Sequence, residues 1–187
     1  GRSYGANAFM LYTGAPQNTF RTSIKDYYTI EAKKIMDEKH ISMDHVICHA
    51  PYIINLANKE KGDSWNFSVS FLRQELDRCE SLGIKYIVVH PGSCVKHTKE
   101  EGIHNIIDAL NIILEKNSNV MILLETMAGK GSECGSTLEE IKMIMDGVDN
   151  KVGVCLDTCH SNDAGYKMDD FDSFLNQFDK IIGIDYI

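Results

Sequence analysis

Val120-Met121-Ile122-Leu123-Leu124-Glu125 is a short apolar run that ends on a carboxylate. A run of this length, rich in branched aliphatic residues, reads as a strand buried on both faces. A carboxylate beside such a layer needs a partner. The same arrangement recurs along the chain: His45-Val46-Ile47-Cys48 gives way to His49, Ile84 to Val89 gives way to His90, and Val152 to Leu156 gives way to Asp157. In parallel α/β proteins the carboxyl ends of the strands open onto one face. His49, His90, Glu125 and Asp157 are therefore expected to meet in space, and together they read as a metal site.

Between these runs the spacing is helical. Ala6 to Tyr12 reads as a first strand, followed by the turn-rich Thr13-Gly14-Ala15-Pro16-Gln17-Asn18 and a helix from about Ser23 to Glu38. A helix of about Trp65 to Ser81 places Phe67, Phe71, Leu72, Leu76 and Cys79 on one stripe, with Gly83 as its C-terminal stop. Thr98 and Glu101 stand at capping-box spacing ahead of a helix near Lys99 to Lys116, with Ile103, Ile106, Ile107, Leu110 and Ile113 facing inward. Ser136 and Glu139 can cap the next helix, which carries Leu138, Ile141, Ile144 and Met145 and stops at Gly147. A last helix covers Phe171 to Phe178, and the tail from Ile181 is expected to lead into another strand.

Five strand-then-helix units, spaced by roughly 32 to 38 residues and without two-residue hairpin turns, favour a parallel sheet in an α/β fold. A barrel and a doubly wound sheet both fit. The residue two before each polar end points the same way, giving Ile47, Val88, Leu123 and Cys155 as a layer beneath the site. That is how the interior of a TIM (β/α)8 barrel is filled. Such a barrel needs about 250 residues and eight strands. The expectation is thus a single domain over 1–187 holding five to six βα units of an incomplete barrel, with the first strand before Gly1 and the last two after Ile187.

The 43% apolar composition is that of a soluble globular protein. No apolar run approaches the roughly 20 residues needed to span a bilayer, so a soluble cytoplasmic monomer is expected, with an organellar or nuclear destination left open. A net charge of -8 argues against a generally basic nucleic-acid surface, although carboxylates at a metal contribute to it. The six cysteines lack a disulfide framework spacing and read as reduced thiols. Cys155, Cys159 and His160 lie close together without a CxxC, which makes a thiolate zinc site the weaker reading.

Neutral imidazoles and carboxylates suit Zn²⁺, Mn²⁺ or Fe²⁺, with zinc the commonest partner of such a set. Bound metal lowers the pKa of its water and stabilises charge on a phosphoryl or carbonyl oxygen. Glu125 has a second oxygen with which to bridge two ions. A strand-end histidine can equally be a hydrogen-bonded core residue, and Asp157 can equally be the N-cap of the segment after it. His40 reads as a helix-end residue, and His45, His97 and His104 as surface or packing residues.

The motifs resemble those of the endonuclease IV family of zinc-dependent apurinic/apyrimidinic endonucleases, and the resemblance spans almost the whole chain. It rests on Asn7-Ala8-Phe9 through Thr13-Gly14-Ala15-Pro16-Gln17-Asn18-Thr19, on His49-Ala50-Pro51-Tyr52-Ile53-Ile54-Asn55-Leu56, and on His90-Pro91-Gly92-Ser93. Leu124 to Gly131 and Val152 to His160 complete it. The resemblance implies a TIM barrel with up to three zinc ions, manganese being a possible substitute. His49, His90 and Glu125 would hold one ion, Glu125 and Asp157 a second, and His160 would serve the third. It implies that Tyr52 and Ile53 wedge into duplex DNA at an abasic site, filling the gap of the missing base. Gln17 takes a position where some members of that family carry Arg. Lys59, Lys61, Lys96 and Lys130 fall on the same rim and carry no assignment.

The implied activity is DNA repair: hydrolysis of the phosphodiester 5′ to the abasic site, leaving a 3′-hydroxyl, with Glu125 as the central catalytic residue. That family supplies two further His, an Asp and a Glu from segments that would follow Ile187, so the 187 residues alone are expected to be inactive. Two rivals stand beside this reading. One is a barrel sugar isomerase or epimerase using a divalent metal, and the other is a non-catalytic barrel remnant.

Overall fold

The computed structural model describes residues 4–59 and 64–187. Five strands alternate with helices: β1 (Phe9–Leu11), α1 (Thr29–Glu38), β2 (Val46–His49), α2 (Ser64–Leu82), β3 (Tyr86–Val89), α3 (Lys99–Leu114), β4 (Met121–Glu125), α4 (Leu138–Gly147), β5 (Gly153–Cys155), α5 (Thr158–Asp163) and α6 (Phe171–Ile181). The strands are all parallel and lie in the order β1-β2-β3-β4-β5. This sequential order decides between the two sheet types, because a doubly wound sheet reverses its order at a switch point and a barrel does not. The sheet is open among the described residues, an arc of a barrel.

The two faces of the sheet are chemically distinct. Val46, Cys48, Ile87, Val89, Ile122, Leu124 and Val154 are buried under the helices. Leu72 and Leu76 of α2, Ile106, Leu110 and Ile113 of α3, and Leu138, Ile141 and Ile144 of α4 meet them and are almost wholly inaccessible. Full burial of each such side chain stabilises by roughly 1.5–3 kcal/mol, so this layer supplies most of the cohesion. The opposite face carries Ile47, Tyr86, Met121, Leu123 and Cys155, which line an open cavity of about 510 Å³ on the barrel interior. Val88 on this face is buried, while Ile47, Leu123 and Cys155 stay half-exposed. No helix among the described residues is long and apolar enough to cross a membrane.

Several expected boundaries move, each for a local reason. Ser23 does not open α1; it caps a 3-10 turn at Ile24–Asp26, and Tyr27 breaks the helix with extended backbone. The Tyr27 hydroxyl is engaged by the Thr13 carbonyl and the Arg78 guanidinium. The capping box of Thr98 and Glu101 forms as expected. At α4 the cap is Thr137, one residue later than expected, because the Glu140 carboxylate takes the Gly135 and Ser136 amides at 2.7 and 3.1 Å. Phe67 is exposed, stacked on the buried Phe71. The tail does not form a strand: Gly183 (φ 108) turns the chain, the Ile184 amide donates to Asp179, and Ile184–Tyr186 is a 3-10 helix.

A buried carboxylate sits inside the apolar layer. Glu75 of α2 is wholly buried, accepting from Arg21 Nε at 2.7 Å and from the Thr13 hydroxyl, with Arg78 Nε 4.0 Å away. Arg21 also donates to the carbonyls of Asn18 and Phe20 and covers the Phe71 ring. The segment after β1 is thereby pinned to α2. Breaking a buried ion pair by neutralising one partner leaves uncompensated charge and costs about 3–5 kcal/mol. Glu75→Gln is therefore expected to lower unfolding free energy by that amount in urea titration; a loss below about 1 kcal/mol would exclude a charged network at this position.

Candidate metal centre

The register of the strands places the polar ends. His49 pairs with Val88, Val88 with Leu123, and Glu125 with Cys155. His90 and Glu125 thus stand level with each other, two residues above His49, and Asp157 stands two residues above Glu125. Tyr12, the residue after β1, is level with His49. From Tyr12 to Asp157 the site climbs by four residues across four strand-to-strand steps. One residue per strand is the stagger of an eight-stranded barrel with shear 8, in which tilted strands bring such positions to a common height.

Glu125, buried, is the hub. Its Oε2 lies 2.9 Å from His49 Nε2 and 3.1 Å from His90 Nε2, and its Oε1 lies 3.2 Å from His160 Nδ1. Burial alone would raise its pKa, but the His49 and His90 imidazoles, wherever they face it with a second proton, outweigh burial and lower the carboxyl to about 2. Two groups of metal-ligating atoms result, His49 with His90 and Glu125, and Glu125 with Asp157 and His160; within each, all lie within 4.8 Å of one another. Neither group includes a cysteine. Cys155 is pushed up to about 11 by burial and by the Glu125 and Asp157 carboxylates, which keeps it a thiol.

The donor chemistry fits a cation. His49 Nδ1 lies 2.6 Å from the Ala50 carbonyl, which can only accept, so Nδ1 carries the hydrogen. In the neutral ring Nε2 then offers a lone pair toward the carboxylate oxygen, and only a second proton or a cation reconciles two acceptors so close. A backbone partner that fixes the tautomer is what metal-ligating histidines show. Ligand atoms around a tetrahedral ion with bonds of about 2.0–2.1 Å stand about 3.3 Å apart, close to the spacings here.

Asp157 does two things at once. Its Oδ1 caps α5 by accepting from the His160 amide at 2.8 Å, and its Oδ2 lies 3.8 Å from His160 Nδ1. The short α5 brings His160 back toward Glu125. Thr126 holds this corner in place: its hydroxyl accepts from the Asp157 amide at 2.9 Å and donates to the Asp157 carbonyl at 3.3 Å, while its carbonyl lies 3.1 Å from His160 Nδ1.

Tyr52, Ile53 and Gln17 are exposed at the mouth and stand outside the ligand cluster. The Tyr52 ring lies 5.5 Å from that of His49 and 5.3 Å from that of His90, and its amide donates to Pro16 next to Gln17. Ile53 lines a small cavity with Asn55 and Phe67. Lys59 is paired with Asp108 and Lys130 with Asp163; Lys61 lies outside the described residues. Tyr12, which sequence reasoning passed over, has its hydroxyl 2.6 Å from that of Tyr52, and burial together with this bond raises its pKa.

The site stands at the strand ends of an α/β barrel arc, and the chain is a member of the xylose isomerase-like TIM barrel family, whose model matches residues 1–187. Within this family its relatives carry the name endonuclease IV, as the motifs indicate. It is 52% identical over 188 residues to probable endonuclease 4 of Bacillus subtilis, covering 99% of this chain and 63% of that protein. Probable endonuclease 4 of Staphylococcus aureus strain JH9 is 50% identical over 187 residues, covering 98% and 62%. The crystal structure of endonuclease IV from Thermus thermophilus superposes with a TM-score of 0.80 at 26% identity, over 100% of this chain and 66% of that one. A D-tagatose 3-epimerase-like protein shares the fold, with a TM-score of 0.73 at 22% identity, over 95% and 65%. The chain therefore spans about 63% of the length of the Bacillus relative.

The loops that frame the mouth are clasped to one another. Asn55 Oδ1 accepts from the Ser93 and Ala57 amides, and Asn55 Nδ2 donates to the Ser93 carbonyl at 3.0 Å. Cys94 and Cys134 amides donate across to Ser132 and Gly92 carbonyls at 2.9 and 2.8 Å. Gly92 (φ 121) makes the close approach possible: a Cβ there would strike Asn55 Oδ1 and come within 3.0 Å of the Leu56 and Ala57 nitrogens. Gly92→Ala is expected to cost about 1–3 kcal/mol in backbone strain and to speed amide exchange at Ser93 and Ala57. Unchanged exchange at both would contradict the clasp.

Proposed function

We propose that this chain carries the metal-binding part of a DNA-repair endonuclease that hydrolyses the phosphodiester immediately 5′ to an abasic site in duplex DNA, leaving a 3′-hydroxyl. The observation that carries the proposal is Glu125, whose two oxygens face two separate ligand groups. The roughly half-identical relatives named endonuclease 4 and the Thermus endonuclease IV structure support it.

In this reading His49, His90 and Glu125 would hold one zinc ion, Glu125 and Asp157 would contribute to a second, and His160 would serve the second or a third. Zinc is favoured by the imidazole-rich donor set, with manganese an alternative. When bound, the metal supplies an activated water and charge stabilisation at a phosphoryl oxygen. The chain's own residues preorganise that centre. Ala50 fixes the His49 tautomer, Thr126 fixes Asp157, and the buried Glu125 stays ionised between imidazoles. Tyr52 and Ile53 offer exposed apolar surface on the loop that follows His49, suited to filling the gap left by a missing base. Gln17, on the adjoining loop, approaches the same duplex. An epimerase shares this fold, but the exposed Tyr52 and Ile53 at the mouth favour a large stacked substrate over a free sugar.

The test uses the full-length protein. Chelation is expected to abolish incision of an abasic duplex, and zinc to restore it. Glu125→Gln is expected to lower the rate about 10³-fold or more, on the scale of removing a key stabilising group from an active site. In a DNA-free arm, zinc at about 100 times its Kd should raise the unfolding free energy by about 2.7 kcal/mol, and His49→Ala with His90→Ala should remove that gain. Full incision by Glu125→Gln would refute its role.

A further inference from the structure

The register of β1 against β2 puts one more side chain into the mouth. Leu11 pairs with Cys48, so Tyr12 stands level with His49 on the same face. Its ring lies 5.3 Å from the His49 ring and 5.9 Å, edge-on, from the Tyr52 ring. The two phenol oxygens are 2.6 Å apart, and either hydroxyl can donate. Tyr52 is itself 54% exposed, and its backbone is held at its amide by Pro16. A half-exposed tyrosine tethered through its backbone keeps its rotamer freedom unless its far end is also fixed.

We propose that Tyr12 is a positioning residue for Tyr52: the bond between the two hydroxyls holds the Tyr52 ring against His49 and His90, so that the element facing the duplex is ordered before DNA arrives. Tyr12 touches neither the scissile phosphate nor the metal in this account and acts through Tyr52. Two tethers, Tyr12 to the ring and Pro16 to the backbone, then join the loop bearing Gln17 and the loop bearing Tyr52 into one surface. Preorganisation of this kind strengthens binding by sparing the ordering cost on association. The consequence for DNA rests on the function proposed above; the contact itself does not.

A double-mutant cycle on the full-length, zinc-loaded protein tests it. Tyr12→Phe deletes one oxygen and keeps the ring against His49. It is expected to weaken binding of a duplex containing a tetrahydrofuran abasic analogue about fivefold, the worth of one hydrogen bond. The loss should appear in KM more than in kcat and leave affinity for undamaged duplex unchanged. In a Tyr52→Phe background the same substitution should change binding by less than about twofold, because the partner oxygen is already gone. Additive effects, or equal losses on undamaged duplex, would overturn the proposal. A parallel cycle on urea unfolding without DNA separates the two readings. If the wild-type protein shows no preference for the abasic duplex, the functional reading fails, and non-additive stabilities still support the Tyr12–Tyr52 bond while additive ones remove it.

Discussion

A carboxylate can stay charged inside a protein only where other groups compensate it, and Glu125 is placed so that this compensation shapes the whole mouth of the barrel. It ends a strand whose outward residues Ile122 and Leu124 are packed under the helices, and imidazoles from β2, the end of β3 and α5 converge on it. No single local segment could supply those partners. They arrive because parallel strands in sequential order present their carboxyl ends together, and because the stagger between neighbours keeps the ligand positions at one height. The apolar layer between sheet and helices sets the strands; the strands set the candidate ligands.

Much of this was legible in the sequence because the strongest signals coincide. Each apolar run of strand length ends in a residue that would be costly to bury alone, and helical periodicity fills the gaps, so β2 to β5 and α2 to α4 could be placed within a residue or two. What the chain's local pattern does not encode is pairing at long range. Glu75 sits among Leu72, Leu76 and Cys79 on a buried stripe, an anomaly that points to a partner, yet nothing local identifies Arg21, 54 positions away, as that partner. Thr158 to Asp163 has no apolar periodicity, and α5 opens on the Asp157 cap. Tyr12 looked like an ordinary strand-end aromatic; its place beside His49 is a consequence of register. The tail from Ile181 has the composition of a strand, but Gly183 turns it before pairing can begin.

The loops add a second level of order. Tyr12 and Pro16 reach Tyr52, Asn55 reaches Ser93, Ser132 and Gly92 join the loops after β3 and β4, and Thr126 ties the corner of Asp157. Each bond is worth little by itself. As a chain they link five adjacent strand ends, so that the exposed Tyr52 loop and the candidate ligands share one hydrogen-bonded frame. A site assembled from strand ends needs such a frame if its geometry is to be held closely enough for chemistry.

Anomalous diffraction at the zinc edge, from crystals of the zinc-loaded full-length protein, tests the central claim most directly. Peaks between His49, His90 and Glu125, and between Glu125, Asp157 and His160, are the predicted result. Zinc found only at surface sites, with Glu125 still bonded to bare imidazoles, would contradict it.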